Sequence, residues 1–156
     1  GANALQIFDS WVGAVNSTEY EQAIFPHMKR IISTVKSRFP NLPLAMNGVG
    51  TDHLVSTWAK LPLDVIALDW RSSLGAAKDR GVTQTVQGNL DPAYLYGDTK
   101  TIAKVVDEIL MDGVRHGKHV FNLGHGVFPE ADPAKLHWLT DYVHEKSREL
   151  WARESR

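Results

Sequence analysis

The group best placed to do chemistry is His125, in the run Phe121-Asn122-Leu123-Gly124-His125-Gly126-Val127-Phe128-Pro129-Glu130. A short apolar stretch ends there in an imidazole held between two glycines. In a parallel α/β protein, catalytic and ligand-binding groups sit just past the carboxyl ends of strands. Flanking glycines let the backbone turn sharply and bring little bulk beside the ring. An imidazole titrating at about 6.5 can donate to a carboxylate or relay a proton near neutral pH. The plainer reading of an isolated Gly-His-Gly is a histidine capping a turn.

Other polar groups recur in the same kind of place. Ser10, Asn47, Asp69, Gln87 and Asn89 each fall at or just beyond the end of an apolar segment, and with His125 they would make one rim. Asp69, Asn89 and Asp91 read as turn-holding groups, because short polar side chains in tight turns commonly bind backbone amides. Taken alone, Ser10 is a strand-end hydroxyl and Phe8 a core residue; Trp11 and Trp70 read as packing residues. His116 and His119 have a spacing that suggests a metal, but they lie at the entrance of an apolar segment, away from the rim, and we expect no metal there. His27, His53, His137 and His144 fall on helical patterns as surface or packing residues.

The elements that must carry these groups follow from hydrophobic period. Five short apolar segments, Ala4–Phe8, Pro43–Met46, Val65–Leu68, Thr85–Gln87 and His119–Leu123, each run into a polar or glycine-bearing turn, as strands do. Thr18-Glu19-Tyr20-Glu21 has capping-box spacing and predicts a helix start, with a break at Pro26 and then Met28, Ile31, Ile32 and Val35 on one face. Short helices are expected after the second and third strands. A longer helix should begin at Asp98 and bury Ile102, Val105, Val106, Ile109 and Leu110. The last should start at Asp132-Pro133, carry Leu136, Leu139 and Val143 inward, and end in a charged segment, Glu145–Arg156.

Alternation of strands and helices without hairpin signals predicts a parallel sheet with right-handed crossovers. The fold class is therefore α/β: about five β/α units of a (β/α)8 TIM-type barrel. Barrels need about 200 residues or more, so residues 1–156 are expected to form part of one barrel domain, incomplete on its own. Gly1, followed at once by an apolar strand, reads as the stop of a helix left behind.

Composition is ordinary for a globular domain: 156 residues, 43% hydrophobic and 22% charged. A net charge of -1 gives no broad basic field, so neither nucleic acid nor a membrane surface is an expected partner. The absence of cysteine excludes disulfides, iron–sulfur clusters, thiolate nucleophiles and cysteine zinc sites. With no signal-peptide pattern and no apolar run of bilayer length, a soluble, cytoplasmic chain is expected.

Four stretches carry a resemblance: Gln6-Ile7-Phe8-Asp9-Ser10-Trp11-Val12-Gly13, Leu68-Asp69-Trp70-Arg71, Val86-Gln87-Gly88-Asn89-Leu90-Asp91-Pro92, and Phe121–Pro129. In that order they resemble the carboxyl-terminal part of the uroporphyrinogen decarboxylase family, over nearly the whole chain. The resemblance implies a distorted β/α barrel, a homodimer, and no metal or organic cofactor. It implies removal of carbon dioxide from the four acetate side chains of uroporphyrinogen, a tetrapyrrole, to give coproporphyrinogen in haem biosynthesis. Ser10 and His125 match substrate-contacting residues, with His125 also a candidate to assist proton movement, and Phe8 would line the pocket against a pyrrole.

The family's substrate-binding arginines, its pyrrole-binding aspartate and a substrate-contacting tyrosine lie in the amino-terminal part, which this sequence does not match. The isolated chain is therefore expected to be inactive and to need that part as a partner. Two other readings stand beside this one. A relative of the same fold that transfers corrinoid methyl groups through zinc is disfavoured by the lack of cysteine. A non-catalytic half-barrel module would use its open edges for pairing.

Overall fold

In the computed structural model, which describes residues 1–154, five strands pair in parallel in chain order. They are β1 (Leu5–Phe8), β2 (Leu44–Asn47), β3 (Val65–Ala67), β4 (Thr85–Leu90) and β5 (His119–Leu123). All five apolar segments of the sequence are strands. The expected tail, Glu145–Arg156, continues as helix to Glu154, and Ser155 and Arg156 lie outside the described residues.

Register sorts the side chains onto two faces. Ile7, Met46, Ile66 and Val86 are successive partners across four strands, and the row one residue later is Phe8, Asn47, Ala67, Gln87 and Val120. Because strand side chains alternate, a step of one residue puts the second row on the opposite face. Met46, Ile66 and Val86 are fully buried and belong to the core beneath the helices. The other face is more polar and only partly covered, with Phe8 69% and Val120 47% exposed.

The helices pack on the first face. After β1 the chain enters α1 (Ser17–Glu19), passes through a π-turn at Tyr20–Ile24, and continues as α2 (Phe25–Arg38). The cap is Asn16, whose Oδ1 accepts from the Glu19 amide, rather than the expected Thr18 box. Glu21 is taken by partners distant in sequence, accepting from Thr57 Oγ1 at 2.8 Å and Lys60 Nζ at 3.3 Å. Pro26 stands in the first turn of α2, directly after the π-turn, so the expected break is instead a π-turn inside a helical run that continues from Ser17 to Arg38. Ile32 is fully buried, but Ile31 is 50% exposed and leaves the expected stripe.

After β2 comes one short helix, α3 (Val55–Trp58), whereas after β3 only a 3-10 turn forms at Lys78–Arg80. Helix α4 (Thr99–His116) starts where expected, with Asp98 Oδ1 accepting from the Thr101 amide at 2.8 Å. It buries Ile102, Val106 and Leu110 against β4 and β5. Helix α5 (Pro133–Glu154) follows Asp132, which accepts from the Ala134 amide, and turns Leu139 and Val143 inward.

Candidate active site

Because all five strands run the same way, the turns after them gather on one side of the sheet. There the polar face opens into a cleft of about 450 Å³, lined among others by Phe8, Ser10, Asn47, Gln87, Asn122 and His125. Phe8 and Ser10 arrive on and just after β1, His125 just after β5, so the opposite ends of the sheet supply its two walls. Between them the floor is small and polar: Ala67 from β3, with the amide side chains of Gln6, Asn47, Gln87 and Asn122 around it. No lysine or arginine lines the cleft among the described residues.

His125 is exposed, and its imidazole meets the Trp70 ring at 6.2 Å and 81°, an edge-to-face contact. Its ring nitrogens take no hydrogen-bond partner among the described residues, and the residue lines the cleft. The glycine before it acts by close approach, since a Cβ on Gly124 would stand 2.6 Å from the Trp70 amide nitrogen. Gly126 has open space around it. The Gly-His-Gly sequence thus presses the β5 turn against the β3 turn on one side only.

The six rim groups divide into two sets. Ser10, Asn47, Gln87 and His125 line the cleft; Asp69 and Asn89 are buried behind it. The Asp69 carboxylate accepts from the Gly50 amide at 2.6 Å, the Arg71 amide at 3.1 Å and Arg71 Nη1 at 2.8 Å. Asn89 donates from Nδ2 to the carbonyls of Asp69 (2.9 Å) and Ser72 (2.6 Å). Both hold the turns, as their type suggests, but Asn89 does so from within β4, which runs three residues further than its apolar run. Gly88 makes that extension possible: its φ of 135° and the Leu68 carbonyl, which a Cβ would meet at 2.4 Å, leave room for no side chain. Asp91 caps the 3-10 turn Pro92–Tyr96 by accepting from the Ala93 amide.

Gln6 and Asn122 were missed by the sequence reading. Their signal was the two-residue alternation itself, which puts Gln6 beside Phe8 on one face and Asn122 one step before the β5 turn. Trp11, expected to pack, is 88% exposed beside Ser10.

The other histidines are engaged elsewhere. His116 Nε2 lies 2.8 Å from the Gln84 carbonyl and His119 Nε2 2.7 Å from the Gly88 carbonyl, so the pair does not converge on a common point. Burial pushes the His119 imidazole below its ordinary range; its bond to Gly88 opposes this and nearby His116 adds to it. At the cleft edge, burial raises the Asp9 carboxyl above its ordinary range.

Comparison with known proteins adds the relatives of this arrangement. Residues 1–146 match the family described as Uroporphyrinogen decarboxylase (URO-D). Curated uroporphyrinogen decarboxylases from Staphylococcus aureus strains JH9 and Newman are each 49% identical over 144 residues, 92% of this chain. The chain spans 41% of the length of those relatives. Among solved structures, a methyltransferase from Methanosarcina mazei superposes with a TM-score of 0.74 over 93% of this chain and 42% of its own. At 17% identity that likeness speaks for the fold alone, a TIM-type barrel of which this chain holds five strands. Sequence, sheet and rim turns agree: the chain belongs to the uroporphyrinogen decarboxylase family.

Proposed function

We propose that this chain supplies the carboxyl-terminal half of a uroporphyrinogen decarboxylase active site, and that the amino-terminal part of the barrel completes it. The observation that carries the reading is the cleft, where Phe8, Ser10 and His125 converge from the two ends of the sheet. The chemistry needs no borrowed electron sink. A pyrrole protonated at ring carbon accepts the electron pair released when an acetate loses carbon dioxide; the resulting methylene carbon then takes a proton, and the ring carbon gives up its own to restore the pyrrole. Each acetate becomes a methyl group with net uptake of one proton.

Within that reaction the roles follow from position. His125, exposed and facing the cleft, donates to a substrate carboxylate or relays the proton. Ser10 Oγ holds a carboxylate side chain, and Phe8 covers a pyrrole face. A substrate with eight carboxylates requires cations, and the cleft's own lining holds no lysine or arginine among the described residues. The arginines must then come from the completing segment, whose strands would also cover Phe8 and Val120. The complete enzyme would work as a homodimer in the cytoplasm, on a tetrapyrrole, without nucleic acid or membrane. No helix among the described residues is long and apolar enough to cross a membrane.

The test is complementation. The chain is mixed with a separately produced amino-terminal segment of a family member, and coproporphyrinogen formation is followed, with His125→Ala as control. Activity that requires both pieces and falls in the control supports the reading. A stable complex that leaves uroporphyrinogen untouched overturns it, and points to the half-barrel as a pairing module.

A further inference from the structure

Arg71 is half exposed on the rim, yet it does not line the cleft. Its position is set by Asp69, a carboxylate with no exposed surface that draws Nη1 to 2.8 Å. Drawn back in this way, the guanidinium lies over the Trp70 ring, with Cζ 4.0 Å from the centroid. The same indole meets the His125 ring edge-to-face, and the Trp70 backbone fills the space beside Gly124. The contacts form one chain across three rim turns: Gly50 amide, Asp69, Arg71, Trp70, His125.

We propose that Arg71 is a positioning residue for His125, acting through the indole that it covers. The inference rests on the decarboxylase reading for its effect on turnover. An arginine suits the position because a planar guanidinium can bind a carboxylate along one edge while its face lies on an aromatic ring. Lysine can keep the first contact but has no flat face for the second. With the indole held, the imidazole has one wall fixed where it lines the cleft. With the indole loose, the exposed His125 turn has only backbone contacts to define it.

Arg71→Lys is the informative variant, since it keeps a positive charge opposite the buried Asp69 and so the fold. Arg71→Ala, which leaves that carboxylate unpaired, is the harsher companion. The first measurement is the histidine ring and indole N–H NMR spectrum of the folded 156-residue chain at one pH, assigned with His125→Ala. The expected result is that Arg71→Lys shifts or broadens the His125 and Trp70 signals and leaves those of His27 and His137 in place. In the enzyme restored by complementation, Arg71→Lys should lower kcat by about tenfold with KM changed less than about twofold.

Unmoved His125 signals in Arg71→Lys would overturn the proposal. So would a loss confined to KM, which would make Arg71 a substrate-binding group instead. If the restored enzyme proves inert toward uroporphyrinogen, the functional reading falls, and the spectra alone decide whether Arg71 places His125.

Discussion

Gly124 and Trp70 touch backbone to backbone, in a space where a single added methyl would stand 2.6 Å from the tryptophan amide nitrogen. Neither residue could be displaced without moving the imidazole next in sequence. Gly124→Ala should therefore shift the β5 turn and destabilise the chain by about 1–3 kcal/mol, an overpacking cost. Gly126→Ala, with nothing nearby and no left-handed backbone, should stay within about 0.5 kcal/mol of the parent. Thermal or urea unfolding of the two variants checks the contrast, and equal stabilities would refute the close approach.

Within the restored enzyme, His125→Ala should reduce turnover by about a hundredfold or more, the usual scale for losing a proton-transfer group. Ser10→Ala should act mainly on KM, because a hydroxyl that holds a substrate carboxylate contributes binding. Steady-state kinetics on uroporphyrinogen separates the two effects. Parent-like values in both variants would remove these residues from the site.

Asp69→Ala should cost about 2–3 kcal/mol, since the Gly50 and Arg71 amides would each lose their only carboxylate acceptor in a buried turn. Asp69→Asn, which keeps an acceptor oxygen, should lose less. Urea titration with an unchanged slope would show that the loss is one of stability and not of a changed unfolded state.

His119 makes stability depend on pH. Its folded imidazole is held below the ordinary range chiefly by burial, so protonation favours the unfolded chain. The contribution is fully present above about 6.5, the unfolded value, and is lost as pH falls through the lowered folded value. His119→Gln, which can still donate to the Gly88 carbonyl, should flatten the fall of the unfolding midpoint between neutral and mildly acidic pH. Parallel curves for the variant and the parent would assign that pH dependence elsewhere.

Tyr20 and Trp58 are both fully buried, and the indole Nε1 donates to the phenol oxygen at 2.9 Å. Burial is also the main reason the Tyr20 hydroxyl is pushed up to about 12. Tyr20→Phe should strand that N–H and cost about 1–3 kcal/mol, again readable by unfolding. A neutral result would mean that the indole finds another acceptor.

Much of this fold was legible because strands and buried helix stripes announce themselves locally. His119–Leu123 has the bounds its apolar run suggested, and Asp98 caps α4 as its position implied. What was not legible depended on partners far along the chain. Glu21 reads as half of a capping box until Thr57 and Lys60, more than thirty residues later, take its carboxylate. β4 reads as ending at Gln87 because nothing in Gly88-Asn89-Leu90 reveals that the Leu68 carbonyl and the carbonyls of Asp69 and Ser72 wait beside it. The site divided in the same way. Ser10 and His125 were placed on the rim by their position after apolar segments, and Phe8 entered only through motif resemblance. Gln6 and Asn122 were readable from the two-residue alternation but were passed over, whereas the direction of Arg71 needed the buried carboxylate that bends it back.

Ser10 follows the first strand of the sheet and His125 the last, with four strand pairings between them and no bond joining the two. Their separation is consequently a sum: each pairing contributes its own spacing of about 4.8 Å and its own rotation of about 20–25°. A change of a few degrees at every step accumulates fourfold across the mouth. The caliper is set on the far side of the sheet, by Met46, Ile66 and Val86, whose volumes decide how tightly the strands coil against the helices. Substitutions in that dry layer would widen or narrow the gap between hydroxyl and imidazole, and so tune the size of guest admitted, while touching none of the groups that meet it.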